Sequence, residues 1–83
     1  MNFVAEIDVM PLKELLDPQG KAVAAGLKNL KLDAVNDVRV GKHITLKLEA
    51  ADKAAATAQV ELACKKLLTN SVIEYFTFEV VEA

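Results

Sequence analysis

Apolar and polar residues alternate along three stretches of the chain. Phe3, Ala5, Ile7 and Val9 alternate with Val4, Glu6, Asp8 and Met10, a period of two that predicts a strand. Pro11 has no amide to donate and should end its pairing. Near the other end, Phe76, Phe78 and Val80 mark the inward face of a last strand over Glu74–Val81. The middle stretch, Val35–Glu49, is the longest. It carries Val38, Val40, Ile44, Leu46 and Leu48 at even positions, with Arg39, Gly41, His43, Thr45, Lys47 and Glu49 at odd ones.

Between these stretches the apolar spacing becomes helical. Asp17 suits an N-cap and Pro18 a first helical position, where no intrahelical amide bond is lost. The predicted helix runs to about Leu30, with Val23, Leu27 and Leu30 on one stripe and Ala22, Ala25 and Gly26 allowing close packing. Lys31 stands where a left-handed terminator, usually glycine, is expected. Asp52 is the expected cap of a second helix from Lys53 to about Leu68. Its stripe is Ala56, Val60, Ala63, Cys64 and Leu67, and Asn70 is its expected left-handed stop.

Gly41-Lys42 decides how the middle stretch folds. A two-residue hairpin turn there would place Val40 opposite His43 and so split the five aliphatics between two faces. One unbroken strand keeps them together and is the expected form, with a hairpin of odd loop length as the alternative. Such a strand would run roughly 50 Å, at about 3.3 Å per residue, and no other stretch could pair with all of it. Its leftover edge invites another chain. The expected fold is therefore α+β, a two-layer sandwich in the order strand, helix, long strand, helix, strand. This is the ferredoxin-like βαββαβ pattern with its central hairpin opened and its antiparallel sheet extended across a dimer.

The 83 residues allow a single domain, 1–83, with a thin core that self-association would help. A formal charge of −2, a lone arginine and the absence of a basic run argue against nucleic acid or an anionic membrane as partner. No apolar run approaches the roughly 20 residues of a membrane span. The N-terminus alternates like a strand rather than reading as a signal peptide. With one cysteine, these features predict a cytoplasmic protein.

Catalytic groups are not assembled by the pattern. His43 is the only histidine and falls on a polar strand face, so one chain cannot build a two-histidine metal site. Cys64 falls on a core stripe, where a thiol is a small hydrophobe. Arg39-x-Gly41-Lys42 could hold an anion, although a bulge or bend explains it as well. The helix start at Asp17–Gly20 is another anion candidate, but the Asp17 carboxylate favours capping. The residues alone therefore describe a small oligomerising module without chemistry of its own.

Three blocks carry a resemblance: Leu16-Asp17-Pro18-Gln19-Gly20-Lys21-Ala22-Val23, then Asp37-Val38-Arg39-Val40-Gly41-Lys42, then Cys64-Lys65-Lys66-Leu67-Leu68-Thr69-Asn70 with Val72-Ile73-Glu74. In order and spacing they resemble the PurS family, the small subunit of phosphoribosylformylglycinamidine synthase. That resemblance implies a part in de novo purine biosynthesis beside a glutaminase subunit and a large synthetase subunit. The implied role is to bridge the two and to help shape a protected route for ammonia. The complex would use ATP, Mg and glutamine, with no cofactor on this chain. A homodimer or tetramer is implied. Asp17, Gln19, Gly20, Arg39, Gly41 and Lys42 become candidates for subunit contacts or structural turns, and none is catalytic. Two other readings compete. An ACT-like small-molecule-sensing regulatory domain needs a true central hairpin. An acylphosphatase-like enzyme needs an anion-cradling loop where this chain has Met10-Pro11-Leu12-Lys13.

Overall fold

The computed structural model describes every residue except Glu14 and Leu16. The segment between Pro11 and Asp17 thus lies partly, and the first residue of the Leu16–Val23 block wholly, outside the described residues. The elements are β1 (Asn2–Pro11), α1 (Pro18–Asn29), β2 (Lys42–Glu49), α2 (Lys53–Ala63), a π-helical turn (Cys64–Leu68) and β3 (Glu74–Glu82). The sheet order is β2-β1-β3 with both pairings antiparallel. Ile7 is the centre of the register, opposite Ile44 on one side and Phe78 on the other.

The alternating faces pack as their periodicity demands. Phe3, Ala5, Ile7 and Val9 of β1 are buried with Val80, against Ala56, Val60 and Cys64 of the second helix. Burying each large side chain of this set contributes about 1.5–3 kcal/mol. Ile44, Leu46, Leu48, Phe76 and Phe78 are only partly buried around them. The cause is incomplete cover, since α2 packs chiefly on β1 and β3. The chain is correspondingly long and flat, 51 × 26 × 14 Å, with a radius of gyration of 16.4 Å.

Four expectations need amendment. Only the second half of the Val35–Glu49 stretch is paired, because within one chain the first half has no strand beside it. From Asn36 to Gly41 the chain forms no turn, so the hairpin at Gly41-Lys42 is absent and β2 runs on from an unpaired arm. Helix α1 has its predicted stripe, yet Val23 and Leu30 stand exposed and Leu27 is only half-buried, and among the described residues no strand packs extensively on it. Gly26 faces open space. The second helix shifts phase at its end: Thr69 N–H donates to the carbonyl of Cys64, a five-residue step. That extra residue turns Leu67 out to 82 % exposure and brings Leu68 against the core. Asn70 is not left-handed. Instead its side-chain oxygen accepts from Val72 N–H at 3.1 Å, and its carbonyl accepts from Ile73 and Glu74.

Lys31 does take the left-handed conformation, with φ 63°. Leu32 N–H reaches the carbonyl of Leu27 and Lys31 N–H that of Lys28, the paired bonds of a Schellman stop. A side chain there is strained. Lys31→Gly is expected to stabilise the fold by about 0.5–1 kcal/mol, the left-handed penalty less the extra chain entropy of glycine. A shift of the urea midpoint at unchanged slope would report it.

Candidate functional site

The residues of the first two motif blocks meet where α1 begins, β1 ends and the unpaired arm passes into β2. Asp17 is the knot. Its backbone is extended, as an N-cap requires. One carboxylate oxygen accepts from Gly20 N–H at 3.0 Å, and the other accepts from Val40 N–H at 3.0 Å. A single side chain therefore caps the helix and holds the arm, 23 residues further along the chain. These two bonds, in that order, depress the Asp17 pKa, and the Arg39 charge adds to them. An acid so held is a poor proton acceptor and a good structural anchor.

Arg39 ties in the end of β1. Its Nη2 carries two hydrogens and donates to the carbonyls of Pro11, at 2.7 Å, and Leu12, at 2.8 Å. Its Nε is buried without a hydrogen-bond acceptor, and the nearest acid, Asp17, lies at 3.8 Å. The Leu12 N–H in turn donates to Ile73 ahead of β3. One guanidinium thus fixes the arm to the strap that leaves the sheet.

The two motif glycines are contact points. A Cβ on Gly20 would collide with the Val38 carbonyl and the Asp17 carboxyl, and one on Gly41 with the Val9 carbonyl and Met10. Neither has positive φ. Close approach, not a special backbone conformation, calls for glycine at both positions. Gln19, Gly41 and Lys42 line a shallow cleft with Pro11, Asp17, Pro18, Val40 and Glu74. All six candidates from the sequence, Asp17, Gln19, Gly20, Arg39, Gly41 and Lys42, are therefore neighbours.

Some of this was not visible in the sequence. The acceptors of Arg39 are backbone carbonyls, which leave no mark on composition. The Val38 carbonyl against Gly20 depends on how the arm lies over the helix start. His43 sits on the opposite sheet face, bonded to Glu6 and Asp8. Alternation placed all three on one face, but their pairing needed the β1–β2 register. Cys64 is buried and free, and burial raises its thiol pKa, with the Glu61 charge adding to it. Among the described residues, no group of three or more His, Cys, Asp or Glu side chains is placed to hold a metal ion. No described helix is long and apolar enough to cross a membrane. Among the described residues, the side chains of this site bond chiefly to backbone amides and carbonyls.

Residues 4–82 match the PurS family model, described as phosphoribosylformylglycinamidine (FGAM) synthase. A PurS subunit of that synthase from Synechocystis is 50% identical over 79 residues, which is 95% of this chain and 79% of the relative. The Bacillus subtilis subunit is 44% identical over 72 residues, covering 86% and 84%. Among solved structures, B. subtilis PurS superposes with a TM-score of 0.86 at 38% identity, covering 96% of this chain and 99% of that one. A chain of the Thermotoga maritima PurLQS structure gives 0.89 at 33% identity, covering 98% and 99%. With nearly its whole length matched in sequence and in backbone, the chain belongs to the PurS family.

Proposed function

We propose that this chain is the non-catalytic small subunit of phosphoribosylformylglycinamidine synthase. It works as a homodimer that bridges the glutaminase and the ATP-dependent synthetase and supports ammonia transfer between them. The observation that carries this reading is the unfinished half of the fold. Helix α1 shows Val23 and Leu30 of its apolar stripe to solvent, and among the described residues the arm before Gly41 has no strand beside it and no helix packs extensively on the β2 end of the sheet. A second copy related by a twofold axis near Gly41 supplies all three at once. Its arm would pair with the free edge of β2, and its α1 would cover Ile44, Leu46 and Leu48. The Asp17–Arg39 knot sets the angle at which helix and arm leave, so the motif residues serve the assembly. The T. maritima PurLQS structure shows a relative of this chain in a structure named for three components. ATP, Mg and glutamine are assigned to the partner subunits of this chain.

Reconstitution tests the reading. Glutamine-driven amidine formation by the two partner subunits is expected to require this chain, while ammonia-driven turnover proceeds without it. Val23→Asp with Leu30→Asp alters only exposed positions of α1. The pair is expected to leave each chain folded by circular dichroism, to shift sedimentation from dimer to monomer, and to lower glutamine-driven turnover at least tenfold, the factor that about 1.4 kcal/mol of lost association represents. Full glutamine-driven turnover without the chain would overturn the bridging role. An unchanged sedimentation coefficient would overturn the α1 interface.

A further inference from the structure

On the sheet face turned away from α2, His43 lies between two carboxylates of β1. Its Nδ1 is 2.6 Å from Asp8 Oδ1, and its Nε2 contacts Glu6 Oε2. The Thr45 hydroxyl donates to that same Glu6 oxygen at 3.0 Å. The register places Asp8 opposite His43 and Glu6 opposite Thr45. Ionised carboxylates only accept hydrogen bonds, and a neutral imidazole carries a single N–H. Both contacts are hydrogen bonds together only when the ring is an imidazolium. The side chains are 43 to 61% exposed, so the cluster is wet, and its geometry rather than burial fixes the charge state.

The rest of that face sharpens the argument. Across β1, Glu79 of β3 stands opposite Glu6, Thr77 opposite Asp8 and Tyr75 opposite Met10. Along β2, Lys47 stands opposite Val4 and Glu49 opposite Asn2. Four carboxylates thus share the face with one lysine and one histidine. The place is also mechanically sensitive. His43 is the second residue of β2, just after the arm joins the sheet, and within one chain β2 is bonded to β1 alone. A one-residue slip would move Ile44, Leu46 and Leu48 off the core face.

We propose that His43 is a protonation-controlled clamp that locks the register of β2 on β1 at the point where the arm enters the sheet. In the charged state it donates to both Asp8 and Glu6. On losing a proton it keeps one bond, and the other ring nitrogen turns a lone pair toward a carboxylate. The bonds to Asp8 and then Glu6 raise the His43 pKa above 6.5, and the bonds from His43 and then Thr45 lower that of Glu6. The His43 contribution is therefore complete below about pH 6.5 and is lost as pH rises through the raised folded value. The Glu6 contribution is present above the ordinary carboxylate range and is lost as pH falls through its lowered value. The clamp is closed between the two.

Because His43 is the only histidine, its ring signals in an NMR titration are unambiguous. The expected midpoint lies above 6.5 and returns toward it in Glu6→Gln with Asp8→Asn. Amide protection in β2, taken as a ratio to that in β3 so that intrinsic exchange rates cancel, is expected to fall several-fold as pH rises through that midpoint. In His43→Gln the ratio is expected to stay flat. A wild-type midpoint at or below 6.5 would overturn the proposal, and so would a wild-type ratio that does not change with pH. Both readouts use the folded wild-type chain and need no variant to survive.

Discussion

Arg39→Ala is expected to destabilise the protein by about 2–3 kcal/mol, the range for hydrogen bonds made by a charged group at a partly shielded site. The substitution leaves the Pro11 and Leu12 carbonyls without their donor and removes the cation beside Asp17. Urea unfolding would show the loss as a lower midpoint, and amide exchange at Val40 would show the arm coming free of Asp17. Arg39→Lys should recover only part of it. A lysine ammonium can reach a carbonyl, but it lacks the flat fork that spans two carbonyls and faces an acid as well. A loss below about 0.5 kcal/mol for Arg39→Ala, the size of an ordinary surface change, would mean that the knot does not hold the arm.

The second large effect belongs to the glycines on either side of that knot. Gly20→Ala and Gly41→Ala are each expected to cost about 1–3 kcal/mol, the usual penalty for forcing atoms into occupied space. In both cases the obstacle includes backbone, the Val38 carbonyl for Gly20 and the Val9 carbonyl for Gly41. Backbone cannot swing aside as the end of a side chain can. For Gly20 the helix start must part from the arm; for Gly41 the arm must part from β1. Either move loosens the same segment, so the double variant is expected to lose less than the two single losses added together. Thermal unfolding of the two single variants and the double would measure this. Full additivity would show the two contacts to be independent.

Local chemistry in the sequence announced much of this architecture. Asp17 and Asp52 cap the helices expected of them, accepting from Gly20 and Ala55 N–H. The even-numbered aliphatics Ile44, Leu46 and Leu48 lie on one face, and no turn interrupts the chain before them. Those features depend on residues within a turn or two of each other. The departures depend on something else. Leu67 is exposed because one hydrogen bond skipped a residue, and an apolar pattern of Cys64, Leu67 and Leu68 fits an α or a π turn equally well. Asn70 makes a side-chain turn, and asparagine serves such a turn and a left-handed stop alike. The stripe on α1 is real, but periodicity says only that a face wants cover, not which chain provides it. The site shows the same division. The resemblance to the family's motifs marked the six residues that cluster, while their partners, mostly backbone carbonyls and amides, are visible only in three dimensions.

The elongated outline described above bears on how the subunit persists in dilute solution. A compact monomer of 9.0 kDa would expose about 4,900 Å². This chain exposes 5935 Å², roughly 1,000 Å² more. That excess is comparable to one partner's share of a standard protein interface, about 800 Å². In the dimer proposed above, covering it would be linked to folding by mass action, so apparent stability would rise with subunit concentration. Protein synthesised in small amounts would spend longer open to proteases than the same sequence made in abundance. On that proposal the cellular level of the chain would become one of the terms that determine its lifetime.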